Sequence, residues 1–400
     1  MKNHISCAAM LGLAVVCGAA FGEDSDRPQH PGSEQIPGKI APFFHPPPEY
    51  ADDFGDYRSP LKFYDGRPVK TAADWQARRR EILDRWHKIM GPWPPLVEKP
   101  KIEYLEKQRR ENFTQHRVRV EIAPGIMHPA ILLVPDVRMD RIHTVPKRPD
   151  ESGHYEQFPA AVVPYYDAET GAGLGKELRD FGYQLTKRGF VTLSIGGFKP
   201  QRSRKDESRI QRLSFEAYGA ANCHTALSNL PEVDAQRIGI VGHSYGGKKA
   251  MFASCLYDKF ACAAWSDGGI VFDEKRANVN YWEPWYLGYE AGKQQREKGI
   301  PTKDEPRTGA YKMLVAQGLD LHELHALMAP RPFLVSGGSE DEPERWKALN
   351  HTIAANKLLG YENRVAMTNR RGHSPTPQSN EQIYLFFEHF LKNAPKGSGS

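Results

Sequence analysis

An alternation of short apolar runs with segments of helical periodicity restricts the fold of this chain more than any other feature. Apolar runs at 160–163, 191–195 and 238–241 are separated by segments such as 213–230, in which apolar residues recur at helical spacing. Strands of this kind are buried on both faces, as in parallel sheets whose strands are joined by helices. The sequence therefore predicts an α/β fold, a three-layer sandwich with a mostly parallel central sheet.

Three segments stand outside this alternation. Residues 1–22 contain Lys2, an apolar stretch and small residues before an acidic segment, which predicts a cleaved signal peptide. Because the stretch is short, we expect no membrane span and a secreted or periplasmic protein. Residues 23–65 are rich in Pro and Gly and predict an extended arm. The α/β domain is expected at 66–395, with an insertion at about 271–318.

The five cysteines do not form a recognisable framework. Cys7 and Cys17 would leave with the signal peptide, although Cys17 also leaves a lipid anchor open. Cys223, Cys255 and Cys262 remain, an odd number at spacings that suit neither a disulfide scaffold nor a zinc site. We therefore expect no metal and no other cofactor.

The charge pattern limits the class of partner. The formal net charge is +5, but 54 basic and 49 acidic residues are interspersed along the chain. A nucleic-acid-binding protein would show a basic stripe within a known module, and the sequence shows neither. A mildly basic surface is compatible with an acidic polysaccharide. We expect a monomer that binds a polysaccharide or oligosaccharide ester and no nucleic acid.

The stretch GHSYG carries the first candidate for chemistry. It fits the pattern G-x-S-x-G between a strand and a helix, which places Ser244 on the sharp nucleophile elbow of the α/β-hydrolase fold. The backbone amide of Tyr245 begins the helix and can stabilise an oxyanion. The second amide is expected from Tyr166, after an earlier strand, although Tyr166 could instead pack beneath its loop.

A serine nucleophile needs a base, and the base needs an acid that orients it. On this fold the expected order is Ser, acid, His. Asp341 and His373 each follow a predicted strand downstream of Ser244, so they complete the predicted triad. Two other acids stay open: Asp267, at the end of the preceding strand, and Glu340, beside Asp341.

Two segments contain histidines that could suggest a metal site. His322, Glu323 and His325 form H-E-x-H, whereas a metalloprotease helix needs H-E-x-x-H to place both imidazoles on one face. A structural helix is the better interpretation. His224 lies in a helical run and is expected to pack or cap rather than bind metal.

The insertion is dense in aromatic residues. Tyr281, Trp282, Trp285 and Tyr286 lie within six positions of one another. They could form a satellite core beneath a lid, or a platform on which sugar rings stack. We expect a lid over the site and keep Trp282 and Trp285 as candidate substrate-binding residues.

Most of the chain resembles a family of secreted α/β-hydrolases. The stretches SYGGKKAMFAS, DLHELHALMAPRPFLVSGGSEDEPERW and NRRGHSPT resemble glucuronoyl esterases of carbohydrate esterase family fifteen. Acetyl xylan esterases and dienelactone hydrolases share the general form of HELHALMAPRPFLV. The resemblance implies Ser244 as nucleophile and His373 as base, with an acid at Asp267 or Asp341. It also implies that Lys248 reaches the hydroxyls of a glucuronate ring.

The chain departs from the glucuronoyl esterases beside the nucleophile. Those enzymes usually have cysteine before the serine and arginine after it, whereas this chain has His243 and Tyr245. The uronate ester is therefore not fixed as the substrate by the resemblance.

These patterns together indicate a secreted serine carboxylic-ester hydrolase that acts on esterified polysaccharide through an acyl-enzyme. A uronic-acid ester is the first expectation and an acetyl ester is the alternative. A serine peptidase of the prolyl-oligopeptidase type and an inactive polysaccharide-binding relative are the remaining alternatives. Too few residues precede the sheet to build the large propeller or cap of such a peptidase.

Overall fold

The structure is a computed structural model that describes residues 36–136, 157–200 and 210–393. The predicted signal peptide and the first part of the predicted arm lie outside the described residues. So does the end of the predicted domain, at residues 394 and 395.

A sheet of nine strands forms the centre of the described part of the chain, in the order β1-β2-β3-β5-β4-β6-β7-β8-β9. The pairs β1–β2, β2–β3 and β3–β5 are antiparallel, and every pair from β5–β4 to β8–β9 is parallel. The strands are β1 (Ile102–Arg110), β2 (Phe113–Ala123), β3 (Ile126–Pro135), β4 (Phe158–Pro164), β5 (Val191–Ile195), β6 (Val233–His243), β7 (Cys262–Ser266), β8 (Phe333–Gly337) and β9 (Val365–Asn369).

Helices cover both faces of this sheet. They are α1 (Ala72–Met90), α2 (Ala168–Gly171), α3 (Phe181–Lys187), α4 (Arg212–Ser228), α5 (Tyr245–Leu256), α6 (Gly309–Ala316), α7 (His322–Ala326), α8 (Trp346–Leu358) and α9 (Pro377–Phe387). Alternate residues of β4 belong to different cores: Ala160 and Val162 pack with α4 and α5, while Ala161 and Val163 pack with α3 and α9. The predicted three-layer sandwich is confirmed.

Local sequence signals fix several of these elements. Thr71 and Asp74 form a reciprocal capping box, in which each side chain accepts a hydrogen bond from the other residue's backbone, and α1 begins there. The strand β1 was not predicted. Its side chains are almost all exposed, so its sequence lacks the apolar alternation by which strands are recognised.

The described part of the Pro/Gly-rich arm lies against the domain. Phe44 is buried and its ring stacks on Phe386 of α9, with 6.2 Å between ring centroids. The side-chain amide of Asn350 donates to the backbone oxygens of Tyr50 and Asp53, at 2.7 and 2.8 Å. Burial of apolar rings and hydrogen bonds from α8 therefore hold this segment.

The parallel strands end level with one another, which brings their following loops together. His243 of β6 is paired with Ser266 of β7, and Gly337 of β8 is paired with Asn369 of β9. Ser244 and Asp267 directly follow the ends of β6 and β7. In open α/β sheets, ligands bind at the carboxyl ends of the strands, so catalytic residues are expected at this edge.

Candidate active site

Ser244 occupies a strained turn that only its neighbouring glycines allow. Its φ of 57° and ψ of −117° lie outside the regions that side-chain-bearing residues favour. A Cβ at Gly242 would lie 2.3 Å from the carbonyl oxygen of Gly246, and one at Gly246 would lie 2.2 Å from that of Pro164. The predicted nucleophile elbow is therefore present in the structure.

A continuous chain of hydrogen bonds links Ser244, His373 and Asp267. Nε2 of His373 lies 2.8 Å from Oγ of Ser244, and Nδ1 lies 2.7 Å from Oδ2 of Asp267. The Asp267 side chain is fully buried, whereas the His373 side chain is 32% exposed. This is the geometry of a nucleophile, a general base and an orienting acid.

The structure corrects the predicted acid, because Asp341 does not contact His373. Its carboxylate accepts backbone hydrogen bonds from Gly269 and Ile270, at 2.9 and 2.6 Å. Burial, followed by the nearby charge of Asp267, raises the pKa of Asp341 to about 6. Asp341 thus supports the loop that carries Asp267.

Asp267 is supported in return by the loop of Asp341. Its Oδ1 accepts the backbone amides of Glu340 and Asp341, both at 3.1 Å. Glu340, the third acid considered, is bound elsewhere: its Oε1 accepts hydrogen bonds from Asn278 and Ser339. The loops after β7 and β8 therefore interlock through two aspartates, and Asp267 is the one turned to the histidine.

Arg370 anchors the loop that carries His373. Its guanidinium donates to the backbone oxygens of Ser336 and His373, both at 2.7 Å, and its Nε donates to that of Ser374 at 2.9 Å. The arginine therefore ties the end of β8 to the histidine loop. Sequence reasoning did not single out this residue, because an arginine in a loop is usually solvated.

The predicted oxyanion residues border Ser244. Tyr245 opens α5, and its backbone amide is at the amino end of that helix. The carbonyl of Tyr166 accepts the amide of Gly197 at 3.0 Å, which fixes the loop after β4. The Tyr166 side chain is 55% exposed, and its ring lies 5.1 Å from that of Tyr245. Partial burial raises the pKa of Tyr166, and a hydrogen bond with Ser244 opposes this rise.

A buried charge cluster supports both oxyanion residues. Nζ of Lys249 donates to the carbonyl oxygen of Tyr165 at 2.7 Å and lies 3.5 Å from the Glu216 carboxylate, with both side chains almost fully buried. Glu216 also accepts a short hydrogen bond from the hydroxyl of Tyr245 and a 3.1 Å bond from the amide of Phe198. This cluster fixes the loop before Tyr166 and the ring of Tyr245.

Lys248 does not extend toward a substrate surface. It is only 3% exposed, and its ammonium donates to the carbonyl oxygen of Gly268 and lies 4.6 Å from the centroid of the Tyr281 ring. Burial lowers the pKa of Lys248 to about 8, and the nearby charge of Asp341 opposes this. The implied contact with sugar hydroxyls is therefore corrected to a contact with the loop after β7.

Most of the aromatic residues in the insertion are buried in a satellite core. Trp282 is fully buried, and its ring lies 6.0 Å from that of Tyr311 on α6. It therefore cannot stack on a sugar, and this candidate is corrected. Trp285 is half-buried and borders an open groove. Only Trp285, of the two predicted tryptophans, is placed to meet a ligand.

The residues considered as metal ligands have structural contacts. The buried His325 ring lies 5.3 Å from that of Trp265. Glu323 forms a fully buried ion pair with Arg78 at 2.8 Å, and Nε2 of His322 lies 2.6 Å from the carbonyl oxygen of Arg58. Nε2 of His224 lies 3.0 Å from that of Lys259. The described ranges contain no group of three or more His, Cys, Asp or Glu residues that could hold a metal ion.

The cysteines and the helices add two further facts. Cys223, Cys255 and Cys262 are buried free thiols. Among the helices that the structure describes, none is long and apolar enough to cross a membrane.

Comparisons with known proteins find one matching family and similar solved structures. Residues 219–397 match the prolyl oligopeptidase family. None of the curated proteins compared with the chain matches it in sequence.

Solved structures of esterases are similar over most of the chain. A glucuronoyl esterase from Solibacter usitatus has 17% identity and a TM-score of 0.63, covering 84% of this chain and 98% of that one. A carbohydrate esterase family 15 glucuronoyl esterase from Caldicellulosiruptor kristjansonii has 20% identity and a TM-score of 0.58, covering 86% and 92%. A putative acetyl xylan esterase from Bacteroides fragilis has 14% identity and a TM-score of 0.51, covering 84% and 87%.

The resemblance stated from the sequence is thus confirmed at the level of the fold. The strand order, the elbow at Ser244 and these similarities lead to one conclusion: the chain has the α/β-hydrolase fold.

Proposed function

We propose that this protein is a serine carboxylic-ester hydrolase that acts on esterified saccharides. The observation that carries the proposal is the hydrogen-bonded chain from Ser244 through His373 to Asp267, with distances of 2.8 and 2.7 Å. A serine hydroxyl is a weak nucleophile, and this arrangement is the one that activates it.

The reaction follows from this geometry. Ser244 attacks the ester carbonyl while Nε2 of His373 takes its proton, and the buried Asp267 carboxylate stabilises the imidazolium through Nδ1. The backbone amides of Tyr245 and Tyr166 donate to the oxyanion, where the amino end of α5 adds a favourable dipole. His373 then protonates the leaving alcohol, and water activated by His373 releases the acid from Ser244.

The acyl group of the substrate is proposed to be a uronic acid. Support comes from the named activity of similar structures, glucuronoyl esterases that share the fold. An acetyl ester is the second candidate, because a putative acetyl xylan esterase also shares this fold. The position after the nucleophile differs from the glucuronoyl esterase pattern, because it holds Tyr245 instead of arginine. The Tyr245 hydroxyl donates a hydrogen bond to Glu216.

Two other activities have less support. The match to the prolyl oligopeptidase family favours a peptidase, but it covers residues 219–397, which hold strands β6 to β9 and the proposed triad rather than a separate cap that selects substrates. An inactive binding protein would not need the strained backbone of Ser244, which costs free energy and persists where chemistry uses it.

Secretion is proposed from the sequence of residues 1–22.

The deciding experiment is hydrolysis by the mature protein and its Ser244→Ala variant. The panel contains para-nitrophenyl acetate, methyl and benzyl glucuronate, methylated pectin, acetylated xylan and a para-nitroanilide peptide. We expect ester hydrolysis that disappears with Ser244, with the uronate esters preferred. Preference for the acetyl compounds would select the second candidate. Cleavage of the peptide alone, or activity that survives in Ser244→Ala, would overturn the proposal.

A further inference from the structure

An open groove borders the proposed active site. It encloses about 390 Å³, and its lining includes Lys199, Arg212, Trp285 and Gln295. The described residues that line it include two cations and no carboxylate. A groove with cations and an aromatic side chain is suited to a ligand that has both an apolar face and a negative charge.

Aromatic contacts connect this groove to the nucleophile. The guanidinium carbon of Arg212 lies 5.9 Å from the ring centroid of Tyr245, the residue after Ser244. The Tyr245 ring lies 5.2 Å from that of Tyr286, which lies 6.2 Å from that of Trp285. The groove therefore lies close to the residue that follows Ser244, and a subsite there requires an adjacent saccharide unit to extend past the Tyr245 ring.

The cations of the groove are only partly neutralised. Nε of Arg212 donates to the carbonyl oxygen of Phe198 at 3.1 Å, which fixes the side chain while leaving it 28% exposed. The nearest carboxylate, Glu216, lies 3.6 Å from Arg212 and 3.5 Å from Lys249, so one negative charge is shared by two positive charges. The exposed Lys199 adds a further positive charge.

Trp285 adds a surface for a sugar ring. It is half-buried, and the ammonium of Lys298 lies 6.0 Å from its ring centroid. A pyranose can pack its apolar face on the indole while its carboxylate meets Lys199 and Arg212. A neutral sugar would use the indole and offer no negative charge to Lys199 or Arg212.

We propose that this groove is a subsite for a saccharide unit that carries a free carboxylate. The inference rests on the proposed esterase function and narrows its substrate class. An esterified uronate at Ser244 is itself neutral, so the free carboxylate belongs to an adjacent unit. The preferred polymer is then a partly esterified polyuronide, in which esterified and unesterified uronates are neighbours.

Binding to the Ser244→Ala protein tests this subsite without turnover. The probes are trigalacturonate and a neutral galactotriose, titrated by calorimetry at low and moderate salt. We expect trigalacturonate to bind at least about tenfold more tightly, and more weakly as salt rises, because exposed charges are screened. Equal binding of the two probes would overturn the proposal.

Charge reversal locates the binding in the groove. Lys199→Glu, added to Ser244→Ala, changes an exposed side chain and is expected to weaken trigalacturonate about fivefold or more. The control is Lys259→Glu, an exposed lysine that precedes β7 at the opposite edge of the sheet. Equal weakening by both variants, or by neither, would contradict the assignment.

Turnover of simple esters separates this inference from the function on which it rests. If the protein with Ser244 hydrolyses para-nitrophenyl acetate and Ser244→Ala binds no trigalacturonate, the subsite is wrong and the esterase stands. If no ester is hydrolysed and trigalacturonate still binds with the expected Lys199 dependence, the esterase is wrong and the groove is an acidic-saccharide site.

Discussion

The Asp267 carboxylate accepts the backbone amide of Asp341, and the Asp341 carboxylate accepts that of Gly269, in the loop of Asp267. Only Asp267 contacts His373, with 2.7 Å between its Oδ2 and Nδ1 of the histidine. We therefore expect Asp267→Asn to lower kcat by on the order of 10⁴, because the amide would hold the imidazole in the wrong tautomer. The fall is measured with a soluble chromogenic ester.

Asp341→Asn serves as the matched comparison for Asp267→Asn. Its amide still offers one oxygen to Gly269 or Ile270 but turns an NH₂ group toward the other backbone N–H. We expect a loss of about 1–3 kcal/mol in the free energy of unfolding and a fall in kcat of less than about a hundredfold. The reverse ranking of the two variants would restore Asp341 as the acid.

The second prediction concerns Arg370, a positioning residue that holds the His373 loop. Arg370→Met removes the 2.7 Å bonds to Ser336 and His373, and a misplaced histidine is expected to lower kcat by about 10- to 100-fold with KM nearly unchanged. Arg370→Lys should recover part of this loss. The neighbouring Arg371 is exposed, so Arg371→Met is the control. Equal kcat values for the two methionine variants would remove Arg370 from the catalytic geometry.

The third prediction separates the side chain of Tyr166 from its backbone. Tyr166→Phe keeps the proposed oxyanion amide but removes the hydroxyl, which interacts with Ser244. Because a hydroxyl beside the proposed nucleophile can donate to the oxyanion, we expect kcat to fall by up to about 10²-fold. Steady-state kinetics on a chromogenic ester give kcat and KM separately. An unchanged kcat would limit Tyr166 to its backbone.

A fourth prediction tests the cluster of Glu216 and Lys249. These buried side chains are 3.5 Å apart. Removing Glu216 takes the carboxylate from Lys249, and removing Lys249 leaves Glu216 with only the partly exposed Arg212, at 3.6 Å. Glu216→Gln and Lys249→Met are each expected to lower the free energy of unfolding by about 3–5 kcal/mol. Because both remove the same pair, the double variant should lose less than the sum, by about 0.5–3 kcal/mol. Additive losses in urea unfolding would show that the pair does not act as a unit.

The sequence was sufficient to bring the proposed nucleophile and base together, because both follow apolar runs that predict strands. Ser244 and His373 were placed by that rule and lie 2.8 Å apart. The acid was not decidable in this way, since Asp267 and Asp341 both follow a strand. What separates them is their tertiary contacts: Asp267 lies 2.7 Å from His373, whereas the Asp341 carboxylate accepts the backbone amides of Gly269 and Ile270.

Burial within the insertion was equally hidden from the sequence. Trp282 and Trp285 are three positions apart in one aromatic segment, yet the first is fully buried and the second borders a groove. Their difference comes from the packing of α6, through Tyr311, against Trp282. Aromatic density predicts that such a segment packs, but it does not predict which ring faces solvent.

The last prediction concerns acid pH and His322. Burial lowers the pKa of His322 to about 3, so the folded protein keeps this imidazole neutral while the unfolded chain takes up a proton near its ordinary pKa. The unfolded state then binds more protons, and the stability that depends on His322 is lost as the pH falls. Each pH unit below about 6.5 removes about 1.4 kcal/mol until the folded pKa is reached.

His322→Gln isolates this effect, because other titrating groups are present in both proteins. The variant loses the contact with the Arg58 carbonyl and is less stable at pH 7, but it cannot take up the proton. We expect the stability gap between the two proteins to shrink by about 2 kcal/mol between pH 7 and pH 5, in urea unfolding at each pH. His45→Gln is the control, since His45 is exposed and solvated in the folded and the unfolded chain. A gap for His322→Gln that stays constant with pH would show that His322 is not held neutral by burial.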